Sequence, residues 1–121
     1  MKTIICDIDG TLVHYRKTTK GIMSHTHTVL PGAVEKLNHW ENKGCRIILI
    51  TGRRESLRKV TEEALVSFGI PFDMLLMGFA DTGRVLINDE SSKVKAHAVS
   101  LTRDEGFDNF DWEIVGLSNP S

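Results

Sequence analysis

Ile4-Ile5-Cys6-Asp7-Ile8-Asp9-Gly10-Thr11-Leu12-Val13-His14 is the stretch that decides how this 121-residue chain folds. A β-branched run, Thr3 to Ile5, leads into two aspartates one residue apart, and a glycine follows that lets the chain turn. Crowded carboxylates repel each other and resist desolvation, so a buried strand ending in such a pair calls for a reason. A divalent cation supplies one, because carboxylate oxygens are the hard ligands Mg²⁺ takes alongside phosphate and water. The plain alternative is a strand followed by an Asp-Gly turn, with both acids merely solvated.

Two further apolar runs extend the pattern. Arg46-Ile47-Ile48-Leu49-Ile50 closes on Thr51-Gly52-Arg53, and Arg84-Val85-Leu86-Ile87 closes on Asn88-Asp89-Glu90. Each reads as a fully buried parallel strand ending in polar residues. Open α/β sheets bind ligands beyond the carboxyl ends of their strands, so Asp7, Asp9, Thr51 and Asp89 are expected at one edge. Between the runs, Pro31 opens a helix striped by Val34, Leu37 and Trp40 and stopped at Gly44. A second helix spans about 55–68, with Leu57, Val60, Ala64, Leu65 and Phe68 on one face and Gly69 and Pro71 beyond it. A short strand is expected over 73–77 and a third helix over 92–101, with Val94, Ala98 and Leu101 inward. The alternation predicts a doubly wound parallel sheet in three α/β/α layers, one domain over 1–121. The tail, 102–121, reads as either a short edge strand at 112–117 or a flap packing Phe107, Phe110 and Trp112.

Composition agrees and excludes several classes. Hydrophobic residues at 40% and charged ones at 26% are ordinary for a globular domain with one modest core. A formal net charge of −1 provides no global attraction to nucleic acid or membrane. No apolar run approaches the ~20 residues of a membrane helix, and Met1-Lys2 leads straight into a strand rather than a signal peptide. Cys6 and Cys45 read as buried, reduced thiols of a cytoplasmic protein, with a disulfide between neighbouring strands as the alternative.

The order Asp7-Ile8-Asp9-Gly10-Thr11, Ile50-Thr51-Gly52-Arg53, Ile87-Asn88-Asp89 resembles the haloacid dehalogenase superfamily of phosphotransferases, over residues 2 to about 90. Within it, the chain looks most like small phosphatases that consist of a bare Rossmann-like core. The resemblance implies a Mg²⁺-dependent phosphohydrolase acting on a phosphomonoester through an aspartyl phosphate. Asp7 resembles the nucleophile and Asp9 the general acid that later activates water. Thr51 resembles the hydroxyl that holds a phosphoryl oxygen, aided by the Gly52 N–H at a helix start. Asp89 matches the carboxylate that completes the Mg²⁺ shell with Asp7 and the Asp9 backbone carbonyl.

Two departures stand against the pattern. Asn88 replaces the first of two acids often found in the fourth motif, an amide that adds no charge. The lysine or arginine of the third motif is not at its usual place, where this chain reads Met77-Gly78-Phe79-Ala80. Arg84 is the nearest cation, with Arg53 and Arg54 on the second motif's loop and Lys93 behind Asp89 as further candidates. Arg53 and Arg84 are thus the expected phosphate-binding cations, a solvated turn residue being the alternative for Arg84. A strand from Arg84 to Asp89 would span roughly 16 Å, which places Arg84 at the wrong edge unless its segment folds over the site.

The stretches 14–30 and 53–85 are too short for an inserted cap domain of ~50 residues. An open site suits a bulky phosphorylated substrate, or a small phosphorylated molecule enclosed by a homo-oligomer. The cations of His14-Tyr15-Arg16-Lys17-Thr18-Thr19-Lys20 could steer an anion, or form a solvated loop. His25 and His27 lack a third ligand nearby for a transition metal. No aromatic residues interleave with the basic clusters, which argues against a nucleic-acid substrate. A phosphorelay receiver would place its phosphorylated Asp at the end of a middle strand, where this chain has Thr51. A nucleotide-sugar transferase also uses D-x-D, but needs room for two substrates. The serious alternative is a catalytically degenerate domain that binds Mg²⁺ or a phosphorylated ligand as a regulatory or assembly module. Asn88 and the displaced cation favour it; the Asp7–Asp9 pair argues against it, since binding alone needs no general acid.

Overall fold

The computed structural model describes residues 2–16, 22, 28–79, 82–91 and 95–120. Three parallel strands form its sheet in the order β1 (Thr3–Asp7), β2 (Arg46–Ile50), β3 (Met74–Leu76). Asp7 pairs in register with Ile50, so the first acidic strand and the Thr51 turn end side by side. Helix α1 (Ala33–Asn42) links β1 to β2, and α2 (Arg58–Phe68), entered through a 3₁₀ turn at Glu55–Leu57, links β2 to β3. Gly69, at φ 75°, closes α2 in the left-handed conformation that glycine adopts without a Cβ penalty. Leu37 and Trp40 of α1, Ile47 and Leu49 of β2 and Leu65 of α2 are almost fully buried and form one core. Both cysteines are free and buried, so the disulfide alternative falls. Burial, and to a smaller degree the charge of Asp7, push the Cys6 thiol up to about 12.

The chain is thus a small α/β domain with no cap among the described residues, and its C-terminal third departs from expectation. The expected strand at Arg84–Ile87 does not form: residues 82–91 are without regular structure, and Val85 and Ile87 are 88% and 86% exposed. A run of three apolar residues without alternation carries no register, so a strand there depends wholly on a partner. β1 in consequence lies at the edge of the sheet and is not buried on both faces; Ile5 is half exposed. Beside it runs a groove lined by Ile5, Asp7, Thr11, Leu86, Asn88 and Leu101. The expected helix over 92–101 is absent from its described part, 95–101. There Val99 and Leu101 pack against the core while Ser100 between them is exposed, a period of two rather than 3.6.

Of the two readings of the tail, the packed flap is the one observed, with a 3₁₀ turn at Trp112–Val115 where an edge strand was the alternative. Phe107 and Phe110 pack on Trp112, and Trp112 meets Trp40 of α1 edge-on. The two indole N–H groups donate to the carbonyls of Ser118 and Phe107, so both buried indole donors are satisfied. Gly106, at φ 82°, lets this return pass against Pro31, whose carbonyl oxygen a Cβ would strike.

Candidate active site

The loop after β1 is one tight turn. The Ile8 carbonyl accepts from the N–H groups of Thr11, Leu12 and Val13, and Gly10, at φ 80°, donates back to Val13. Ile8, Leu12 and Val13 are buried, which anchors the loop and leaves Asp7 and Asp9 at its open side. The Asp7 side chain is 38% exposed at the strand's end, facing Arg84 Nη2 at 3.7 Å and accepting a long bond of 3.4 Å from the Thr11 hydroxyl. Desolvation raises its pKa above the ordinary carboxylate value and the neighbouring Asp9 adds to that; the Ile8 N–H, Arg84 and Thr11 work the other way.

Asp9 is held differently. Arg53 Nε donates to Oδ2 at 2.8 Å and Nη2 to Oδ1 at 2.6 Å, a bidentate fork on a single carboxylate. Arg53 Nη1 donates to the hydroxyl of Thr61 on α2 at 3.0 Å. Removing one partner from such a buried pair costs about 3–5 kcal/mol, because the other charge is left without compensation. With Arg53 only 6% exposed, Asp9 is what makes its burial tolerable. Arg53 is therefore placed on Asp9, where the sequence suggested a phosphate ligand.

Thr51 lies at the same sheet edge but is buried, and its hydroxyl accepts from the Arg53 N–H at 3.1 Å. Gly52 is exposed in the turn itself, three residues before the 3₁₀ helix begins at Glu55, and so is not at a helix N-terminus. Arg84 reaches Asp7 because its segment is not a strand, which removes the reach objection. Asp89 is exposed, and no group of three or more His, Cys, Asp or Glu that could hold a metal ion forms among the described residues. Asp7 and Asp9 are thus brought together with Thr51, Arg53 and Arg84, while Asp89 is not gathered with them. Lys93, His25 and His27 lie outside the described residues.

Several supporting residues were not anticipated. The C-terminal return braces the acidic loop: Asp104 donates its N–H to the Gly10 carbonyl at 2.9 Å and accepts from the Tyr15 N–H at 2.8 Å. Arg103 lies over the Tyr15 ring, 4.1 Å from its centroid, and its side chain fills the space a Cβ on Gly10 would take. Nothing periodic in the tail points to this. Thr61 did carry a signal, since Leu57, Thr61 and Leu65 share the buried face of the α2 segment and one of them is polar.

A family model, PITM 1-3, LNS2 domain, matches residues 4–110. The chain belongs to this LNS2 family, a haloacid-dehalogenase-like fold. Among solved structures, a chain of the Pnkp1/Rnl/Hen1 complex is similar at 29% identity and TM-score 0.58, over 69% of this chain and 30% of that one. This LNS2-like chain therefore spans under a third of that relative's length. A structural-genomics target from Vibrio cholerae matches at 20% identity and TM-score 0.52, over 75% of this chain and 82% of that one. D,D-heptose 1,7-bisphosphate phosphatase from B. bronchiseptica, complexed with magnesium and phosphate, matches at 18% identity and TM-score 0.48, over 68% and 52%. No curated protein matches.

Proposed function

We propose that this LNS2-like domain hydrolyses a phosphomonoester through an aspartyl phosphate on Asp7. The observation that carries the reading is the division of labour at the end of β1. One carboxylate, Asp7, is open to the groove and faced by a cation; the other, Asp9, is braced from behind by Arg53. In the first displacement an Asp7 oxygen bonds to phosphorus while the bond to the leaving oxygen breaks, and Asp9, which enters this step in its carboxylic-acid form, gives that oxygen its proton. In the second, Asp9 takes a proton from water as the water oxygen attacks phosphorus, and the Asp7 carboxylate is released. Arg84 faces the carboxylate that receives the phosphoryl group and offsets its negative charge.

Mg²⁺ is the proposed cofactor. The hard oxygen of Asp7 and the Asp9 backbone carbonyl suit it, whereas Asp89 would have to be brought in from its exposed segment. When bound, the ion would offset charge shared by nucleophile and phosphate. The uncovered groove favours a bulky phosphorylated substrate, or a homo-oligomer closing over a small one.

The test is a screen of phosphorylated sugars, nucleotides and 3′- or 5′-phosphorylated oligonucleotides with Mg²⁺, beside Asp7→Asn. The oligonucleotides are included because a similar chain sits in an RNA repair complex. A substrate turned over by wild type and at least about 10³-fold more slowly by Asp7→Asn supports the reading. Equal rates, or no turnover of any substrate, favour the degenerate binding module.

A further inference from the structure

The two arginines that reach the acidic loop are held in opposite ways. Arg84 is exposed and meets Asp7 at 3.7 Å, without a hydrogen bond. Arg53 is fixed along its length. Its N–H donates to the Thr51 hydroxyl, and its carbonyl accepts from the Gly78 N–H at 2.7 Å. Its guanidinium grips both oxygens of Asp9 and the hydroxyl of Thr61. Turning the Asp9 carboxylate about its own axis would break both arms of the fork, and swinging Arg53 toward a substrate phosphate would break those bonds and the one to α2.

We infer that Arg53 is a positioning residue, which sets the orientation of the Asp9 carboxylate toward the leaving group and does not itself hold phosphate. The inference rests on the phosphohydrolase reading above. It makes Arg53 specific to one kind of substrate. The phosphoryl group is common to all phosphomonoesters, so a residue that binds it affects all of them alike. The leaving oxygen is not: an alkoxide needs a proton as it departs, and a nitrophenolate much less. A residue that acts through Asp9 therefore matters for alkyl phosphates far more than for aryl phosphates. Thr61, holding the third arm of the guanidinium from α2, belongs to the same device at one remove.

Single-turnover rates of Arg53→Gln on an alkyl and an aryl phosphate test this, beside Asp9→Asn and the double variant. The expected result is a loss at least about tenfold larger on the alkyl phosphate, and a double variant hardly slower than Asp9→Asn alone. Arg53→Lys, which keeps the charge but not the fork, restores part of the alkyl rate, and Thr61→Val shows the same preference with a smaller loss. Equal losses on both substrates, with losses of the two single variants that multiply in the double, would overturn the inference and return Arg53 to the phosphate. Urea unfolding of the same four proteins gives a readout free of activity. The contact predicts that the two substitutions are non-additive in stability, and additivity would refute the clamp itself. If that coupling is present but wild type turns over no phosphomonoester, the phosphohydrolase reading fails, and the catalytic role of Arg53 falls with it.

Discussion

The loop after β1 and the segment 82–91 both carry acids expected at the site, and they are built in contrasting ways. The loop packs three buried apolar side chains under a web of backbone hydrogen bonds, with Arg53 behind it and the C-terminal return across it. Segment 82–91 exposes its apolar residues and touches the loop through Arg84 and Asp7. A site built from both regions would be half preorganised. Asp9 and its bracing are set in the structure, while in the proposed reaction Asp89 sits on a segment that a ligand would have to draw in, by binding the docked form more tightly.

On the rigid side, Asp9→Asn should do damage second only to that of Asp7→Asn. We expect a loss of about 10²-fold or more on alkyl phosphates and a smaller loss on aryl phosphates, read in the first half-reaction by single turnover. An equal loss on both would mean that Asp9 serves only to order the loop.

Arg84→Gln probes the link between the two regions. A loss of about tenfold in kcat/KM, similar for aryl and alkyl substrates, is expected if its charge faces the phosphoryl group. A variant as fast as wild type would leave the exposed segment without a part in the reaction.

Asp89→Asn asks whether the segment ever docks. If it does, half-saturation by Mg²⁺ should move about tenfold higher, with little change in turnover at saturating metal. An unchanged Mg²⁺ curve would keep Asp89 in solvent and leave the contrast complete.

The smallest effect concerns Cys6, directly before Asp7. Its thiol stays protonated up to about 12, whereas an unfolded chain ionises near 9.0. The folded state holds this proton more tightly, so the contribution is complete below pH 9 and is lost as the pH rises toward 12. Alkylation at pH 8 should therefore proceed no faster than the chain unfolds, followed by mass spectrometry. Fast labelling would show that the rigid side opens readily.

Where side chains are fixed by local rules, the sequence was legible. β1, β2 and the two helices follow from apolar runs and stripes with a glycine or proline at their ends, and Asp7 and Asp9 stand out as paired carboxylates at a strand's end. Reading failed where a structure depends on partners remote in sequence. Val85–Ile87 has the composition of a strand, yet it does not pair with the free edge of β1 beside it. The run over 94–101 fits a helical spacing, yet Val99 and Leu101 pack with a period of two. Arg53 was visible as a cation near the site, but its target was not. Which anion a buried arginine meets is set by the register of β1 beside β2 and by Thr61 on the facing helix.

The aromatic knot that fastens the tail has a practical side. The chain contains two tryptophans, and both lie in that knot, one on α1 and one on the return that carries Arg103 and Asp104 to the acidic loop. All indole emission of this protein therefore originates at a single seam. Under conditions where the sheet stays folded, a shift of that emission to the red would signal the return peeling from the helix, and with it the loss of the brace on Gly10. The molecule thus carries its own optical gauge of whether the acidic loop is supported, and needs no attached dye to read it.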